Sequence, residues 1–356
     1  MRVLLAMSGG IDSSMAAHLL KEQGHEIIGI TFITYEEKKE NEAGGNLDYV
    51  NDARQIADKL GFKHYVVDIQ DSFKQQIIAH FIDEYMLGRT PNPCVVCNPS
   101  IKWKTLIEYA DEFGCEYIAT GHYSVINNKN GRYFITEATD DWKDQSYFLW
   151  RLPQEYLKRT LFPLGGYLKP DIKKLAAKLG FNKLSEKKES YDVCFIKDKD
   201  YRTFIRENTP DIDKKIKEGN FIDKDGKILG KHNGFPFYTI GQRKGLGVAA
   251  AHPLYVLNID ASKNEILLGA KEELAQSKVI VSEISLQKFS DISDIPEEVE
   301  IITKIRYKDK GAISRLKVIG ENKVEITFLS PVYGLAPGQS AVFYDANDLI
   351  GGGFIN

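Results

Sequence analysis

The chain opens on an apolar run, Val3-Leu4-Leu5-Ala6, followed by two glycines and then by apolar positions on one helical face from Met15 to Leu20. That order predicts a buried strand, a tight turn and a helix that stops near Gly24. Ile27–Ile33 predicts a second strand and His64–Asp68 a third. Between them, Val50–Leu60 has helical spacing and ends at Gly61. Phe73–Leu87 predicts a helix ending at Gly88, and Ile172–Leu179 a helix before Gly180. Tyr117–Thr120 predicts a short strand running into Gly121-His122, and the charged stretch Glu36–Gly45 a loop. Alternating strands and helices argue for an α/β domain built on a doubly wound parallel sheet. Ligands bind such sheets at the carboxyl ends of the strands. The first turn and Gly121-His122 both fall on that edge.

The texture changes near Tyr201, where helical patterns fade and short β-like runs with glycine turns begin. Asp223-Lys224-Asp225-Gly226-Lys227 predicts a turn between strands, and Pro253–Leu268 two strands around Asn258–Asn264. Val279–Ser285, Val299–Ile305, Ile313–Ile319, Lys323–Phe328 and Ser340–Tyr344 follow at regular spacing, the pattern of a small barrel. The expected organisation is a catalytic α/β domain over 1–200, a small β-rich domain over 201–274 and a C-terminal β-barrel over 275–356.

Composition narrows the class. The 356 residues suit two or three domains, and 43% are apolar, enough for ordinary cores. No apolar run approaches the roughly 18 residues that span a bilayer, and the N-terminus lacks the pattern of a secretory signal. A cytoplasmic protein is expected. Four cysteines, Cys94, Cys97, Cys115 and Cys194, are too few for a disulfide framework. In a reducing compartment they are free thiols, metal ligands or redox groups. The net charge of −3 gives no bulk sign of nucleic acid. A nucleic-acid partner would need local basic patches; Lys102/Lys104, Gln242-Arg243-Lys244 and Arg306–Lys317 are the candidates, although charge alone favours solvated faces.

The first chemical signal is Ser8-Gly9-Gly10-Ile11-Asp12-Ser13, set between the first strand and the first helix. A Gly-rich turn at a helix N-terminus turns backbone N–H groups and a partial positive charge toward an anion. The spacing fits neither a Walker loop nor a dinucleotide loop. It resembles the pyrophosphate loop of ATP pyrophosphatases, which adenylate an oxygen and then let a nucleophile displace AMP. The second signal is Thr90-Pro91-Asn92-Pro93-Cys94-Val95-Val96-Cys97, two prolines predicting a rigid extended loop before a C-x-x-C pair. That pair suits half a zinc site, a redox couple or part of an iron–sulfur site. Cys194, in Tyr191-Asp192-Val193-Cys194-Phe195-Ile196, and Cys115 by themselves read as buried core thiols.

Taken together, these segments resemble the tRNA-specific 2-thiouridylases over nearly the whole length. The resemblance also rests on Ala119-Thr120-Gly121-His122-Tyr123, Lys143-Asp144-Gln145-Ser146-Tyr147-Phe148-Leu149, Cys194-Phe195-Ile196, Thr239–Gly247 and Pro337–Tyr344. It implies ATP-dependent thiolation at C2 of the wobble uridine of tRNA, with pyrophosphate and AMP released. It implies Cys97 as nucleophile and Cys194 as persulfide carrier, the two forming a transient disulfide. It implies an ATP site at Ala6, Met7, Ser8, Gly9, Gly10, Ile11, Asp12 and Ser13 with Phe32 and Gly121. It implies tRNA contacts at Asn92, Pro93, Cys94, His122, Lys143, Asp144, Gln145, Arg306, Tyr307 and Gln339. Magnesium is expected at the pyrophosphate, with Asp12 as its partner and as a catalytic group. An upstream persulfide relay protein or cysteine desulfurase is the expected sulfur source, and the working unit a monomer.

One position departs from the family, in which many members carry Asp where this chain has Cys94. Three cysteines, Cys94, Cys97 and Cys194, could then converge, and three thiolates suffice for a [4Fe–4S] cluster with one open iron. The alternative reading is thiolation through such a cluster. Two rivals from other classes are an ATP-dependent amide-forming ligase, which shares the S-G-G-x-D-S loop, and a non-catalytic RNA-binding module.

Overall fold

The central sheet has the strand order β3-β2-β1-β4-β7, and every pairing in it is parallel. The strands are β1 (Arg2–Ala6), β2 (Glu26–Ile33), β3 (Lys63–Asp68), β4 (Tyr117–Ala119) and β7 (Thr160–Leu161). A computed structural model describes residues 1–35, 48–181, 193–196, 200–296 and 299–356. The predicted loop over Glu36–Gly45 and the charged stretch ahead of Val193 lie outside them. β1 is buried along Val3-Leu4-Leu5, as a strand covered on both faces should be. The chain leaves β1 toward β2 on one side and returns to β4 on the other. The first turn therefore sits at the switch point of the sheet, where such folds open a crevice.

Two helices differ from their predicted form. The helix over 70–86 runs through a wide turn, Lys74–Ile78, without breaking. The expected extended loop around the cysteines is extended only as far as Asn92. Pro93 occupies the first helical position, where its missing N–H and fixed φ cost nothing, and the helix runs through 93–112 with a wide turn at Asn98–Trp103. Cys94 and Cys97 are thus on a first helical turn. The predicted loss of helix after Tyr201 is also corrected: Tyr201–Asn208 and Ile212–Lys215 are helical, the first capped by the Asp200 side chain.

Strands β8 (Gly219–Ile222), β9 (Ile228–His232), β10 (Tyr255–Asp260) and β11 (Glu265–Gly269) form a separate four-stranded sheet. The last six strands close a barrel in the order β12-β15-β14-β13-β16-β17, with β17 pairing back on β12. They are β12 (Ala275–Leu286), β13 (Ile301–Lys304), β14 (Ala312–Gly320), β15 (Lys323–Tyr333), β16 (Ser340–Asp345) and β17 (Asp348–Ile355). Strand β17 escaped the sequence pattern because Gly351-Gly352-Gly353 interrupts its alternation. The glycines are the condition for closure. A Cβ at Gly351 would stand 2.3 Å from the Ser285 carbonyl oxygen, one at Gly353 2.6 Å from that of Ser282, and one at Gly352 2.8 Å from the Trp150 ring.

A hairpin of β5 (Val125–Lys129) and β6 (Arg132–Thr136) joins the first domain to the barrel sheet through Thr136 and Asp348. One apolar core runs across this junction, with Trp103, Ile118 and Trp150 packed with Val342, Tyr344 and Phe354. Gln287, fully buried, donates from Nε2 to the Leu149 carbonyl at 2.8 Å and accepts from the Ile135 N–H at 3.2 Å. Its polar atoms are satisfied across the junction, so the barrel is held in one position against the sheet.

Candidate active site

The turn after β1 presents an open helix end. Gly9 has φ +66°, and a Cβ there would meet the Tyr49 carbonyl oxygen at 2.2 Å. Only glycine fits that left-handed, crowded position. Gly10 caps the helix Ile11–Glu22 with no side-chain hydrogen bond. The Ser14 and Ser13 hydroxyls turn back to the Gly10 carbonyl at 2.7 and 3.2 Å, and the Ser8 N–H donates to Ser13 Oγ at 3.2 Å. The first-turn N–H groups lack a side-chain cap, as an anion site requires. Gly121 lets the end of β4 close on this turn, since a Cβ there would stand 2.8 Å from the Ser13 nitrogen.

Asp12 meets a partner that the sequence reading missed. Lys169 Nζ donates to Asp12 Oδ1 at 2.6 Å, and the Tyr123 hydroxyl donates to the same oxygen at 2.9 Å. The Lys169 side chain is 7% exposed, so its charge sits in a weakly screened place beside the phosphate turn. Its backbone N–H is held by Asp140 Oδ2 at 2.7 Å, which fixes the start of the helix Lys169–Lys178. Both bonds to Asp12 fall on Oδ1.

A cavity of about 560 Å³ extends from this turn. Ala6, Met7, Ser8, Asp12 and Ser13 line one end, with Phe32, Gly121 and His122. Cys94, Cys97 and Cys194 line the same cavity, together with Pro93 and Gln145. Cys194 is exposed, and its neighbour Phe195 is buried against Phe73, Phe81 and Phe204 at ring separations of 5.7, 5.3 and 5.0 Å. That anchor holds the thiol at the cavity wall, so Cys194 is not the core thiol that its lone position suggested.

The cysteine helix adds its own control. Burial pushes the Cys94 thiol up to about 11 and the Cys97 thiol up to about 12. Lys102 pulls both down, and its backbone N–H bonds the Cys97 sulfur across the wide turn. Cys97 is therefore a thiol at neutral pH. Iodoacetamide labelling of the Cys97 peptide, read by mass spectrometry, is expected to rise about tenfold per pH unit between about pH 7 and 9. Lys102→Met should slow it at every pH, and a plateau below about pH 8 would contradict the raised value.

The residues expected to touch RNA divide into two groups. Pro93, Cys94, His122 and Gln145 line the cavity, with Asn92 next to Pro93, while Tyr307 packs tilted against Phe148 with ring centroids 4.4 Å apart. His122 is held neutral, well below its usual range, by burial and then by Lys102, and its Nδ1 bonds Thr120 Oγ1 at 2.7 Å. Two of the expected residues are also bonded within the protein. Asp144 is 8% exposed, and its oxygens accept from the Ala138 N–H at 2.9 Å and the Ser146 hydroxyl at 2.6 Å. Gln339 donates from Nε2 to the Thr90 and Pro91 carbonyls at 2.9 and 3.2 Å. Both residues brace segments of the site.

Three family models cover the chain. The tRNA methyl transferase HUP domain matches residues 1–198, the tRNA methyl transferase PRC-barrel domain 204–270, and the aminomethyltransferase beta-barrel domain 281–355. A tRNA-specific 2-thiouridylase MnmA of Amoebophilus asiaticus is 46% identical over 99% of this chain and 95% of its own length. That of Cytophaga hutchinsonii is 46% identical over 99% of this chain and 97% of its own. That of Clostridium acetobutylicum is 43% identical over 99% of both. Similarity at this level along the whole chain, with the phosphate turn and the cysteines on one cavity, is not shared by amide-forming ligases in general. The chain belongs to the tRNA-specific 2-thiouridylase family.

Proposed function

We propose that the protein is an ATP-dependent tRNA sulfurtransferase that converts the wobble uridine to 2-thiouridine. The observation that carries the reading is that one cavity is lined by both the phosphate turn and the cysteines. ATP would lie with its phosphates on the turn from Ser8 to Ser13 and its base toward Phe32 and Met7. The target uridine would enter beside Asn92 and Pro93, flipped out of the anticodon stack. The region of Lys143 and the exposed Arg306 would meet RNA phosphates, so affinity should fall with salt.

The reaction is written in three transfers. Uridine O2 attacks the α-phosphorus of ATP, the α–β bridge breaks and pyrophosphate leaves. The terminal sulfur of a Cys194 persulfide attacks C2, the C2–O2 bond breaks and AMP departs with that oxygen. The Cys97 sulfur attacks Cys194 Sγ as its thiol proton is lost, the persulfide S–S bond breaks, and 2-thiouridine is released carrying that proton. A Cys97–Cys194 disulfide is left, the two thiols having supplied the electrons that reduce the transferred sulfur. An external dithiol restores both thiols, and a persulfide relay protein or desulfurase reloads Cys194. Magnesium would neutralise the leaving pyrophosphate, held by Asp12 with phosphate and water oxygens. Cytoplasmic, monomeric action and the three-part division at 200 and 274 belong to the same proposal.

The cluster reading meets an obstacle. The three cysteines share a cavity, yet among the described residues no group of three His, Cys, Asp or Glu side chains stands as metal ligands. As placed, they do not fit a [4Fe–4S] cluster, and no step is routed through one. The test is incubation of anaerobically purified, metal-assayed protein with unmodified tRNA, ATP, magnesium and a persulfide donor. Digestion and mass spectrometry should show 2-thiouridine from iron-free protein. Product only from iron-loaded protein would replace the persulfide route, and no product would return the ligase reading.

A further inference from the structure

Trp142 is 71% exposed, more than any other large apolar side chain among the described residues. A tryptophan left in water on a rigid support is a large apolar face without a covering partner. The support here is rigid. Asp140 Oδ1 accepts from the N–H groups of Trp142 and Lys143, both at 3.1 Å, and its other oxygen holds Lys169. The segment is therefore tied to the lysine that faces Asp12, and Gln145 at its far end lines the cavity.

The barrel completes the patch. The connection from β13 to β14 reaches across, and Lys308 Nζ sits 4.8 Å from the Trp142 ring centroid and 4.5 Å from that of Tyr307. Lys308 also donates to the Trp142 carbonyl and adopts φ +70°, a left-handed conformation that the Asp309 turn sustains. Burial, then Lys143, holds the Lys308 ammonium below its ordinary range. The Lys308 ammonium therefore lies against one face of an exposed indole. Asp140 and Asp144, the acidic groups that oppose the lowering of Lys308, are both turned inward by their own hydrogen bonds.

We infer that Trp142 is a stacking platform for an unstacked nucleobase of the RNA substrate, with Lys308 taking the adjoining phosphate. One face of the indole carries the ammonium, and the base covers the other. Stacking of this kind suits single-stranded loop bases and tolerates sequence. The inference rests on the tRNA substrate proposed above and adds where the loop is gripped beside the flipped uridine. It places a barrel residue and a catalytic-domain residue on the same nucleotide.

The chain's other two tryptophans, Trp103 and Trp150, are fully buried, so the solvent-accessible emission belongs to Trp142. Titration with an anticodon stem-loop RNA should quench that emission. Trp142→Phe should remove the quenching and bind within about threefold of the original. Trp142→Ala should raise the KM for tRNA by roughly tenfold with kcat unchanged, the scale of one base stack. RNA binding without quenching, or a Trp142→Ala enzyme with the original KM, overturns the inference alone. Failure of the unaltered protein to bind RNA at all overturns the tRNA reading and the inference with it.

Discussion

Replacing Cys97 with serine is expected to lower 2-thiouridine formation by about a thousandfold or more while pyrophosphate release on tRNA continues. Serine keeps the shape of the helical turn but cannot attack the Cys194 sulfur, so the base is adenylated, AMP departs, and the uridine stays joined through sulfur to Cys194 without release of 2-thiouridine. Loss of a group that acts as nucleophile commonly costs this much or more. Cys194→Ser should do the same, and in addition should leave no persulfide detectable on the protein after loading. The two variants differ in one readout: Cys97→Ser should accumulate tRNA disulfide-linked to Cys194, which a reducing agent releases. Cys94→Ser is expected to keep most of the activity, because Cys94 has no assigned transfer. A Cys94→Ser enzyme as dead as Cys97→Ser would revive a three-cysteine site. Gel assays for AMP and pyrophosphate alongside nucleoside mass spectrometry separate these outcomes.

Lys169→Met should act on the other half-reaction. The lysine is buried beside Asp12 and the phosphate turn, at a 2.6 Å contact that fixes both side chains. Removing its charge takes away preorganised positive potential where charge develops on the transferring phosphoryl group. Groups in that role are worth about 10² to 10³ in rate. Pyrophosphate release should fall on that scale, and thiolation should fall with it. The variant also leaves Asp12 with Tyr123 alone. Because Asp12 is about a third exposed, the loss of the pair itself should cost less stability than a fully buried one. A parallel thermal melt separates lost chemistry from lost fold. Wild-type pyrophosphate release in a folded Lys169→Met protein would remove the lysine from the account.

The contrast between these two predictions follows what a sequence can carry. The phosphate turn was legible because its strand, glycines and helix are contiguous, and the geometry of each is set locally. Lys169 was not legible, because 157 residues separate it from Asp12 and only the tertiary fold brings them together. The C-x-x-C pair was legible as spacing, yet its helical setting was hidden by prolines that signal both an extended approach and a helix start. Cys194 depends on Phe195 finding an aromatic cluster from three other segments, which no local pattern announces. The parallel sheet and the barrel followed from alternation, while β17 was masked by the three glycines that close it. Asp144 and Gln339 match family segments, but their bonds to Ser146 and to the Thr90 carbonyl could not be read from a motif.

The account's central claim is that adenylation and sulfur transfer act on the same uridine oxygen in one cavity. Unmodified tRNA carrying ¹⁸O at C2 of the wobble uridine tests it most directly. After a single turnover with ATP and persulfide-loaded protein, mass spectrometry of the AMP should find the label, one ¹⁸O for each 2-thiouridine formed. Unlabelled AMP accompanying 2-thiouridine would contradict the claim, because the oxygen would then have left by another path.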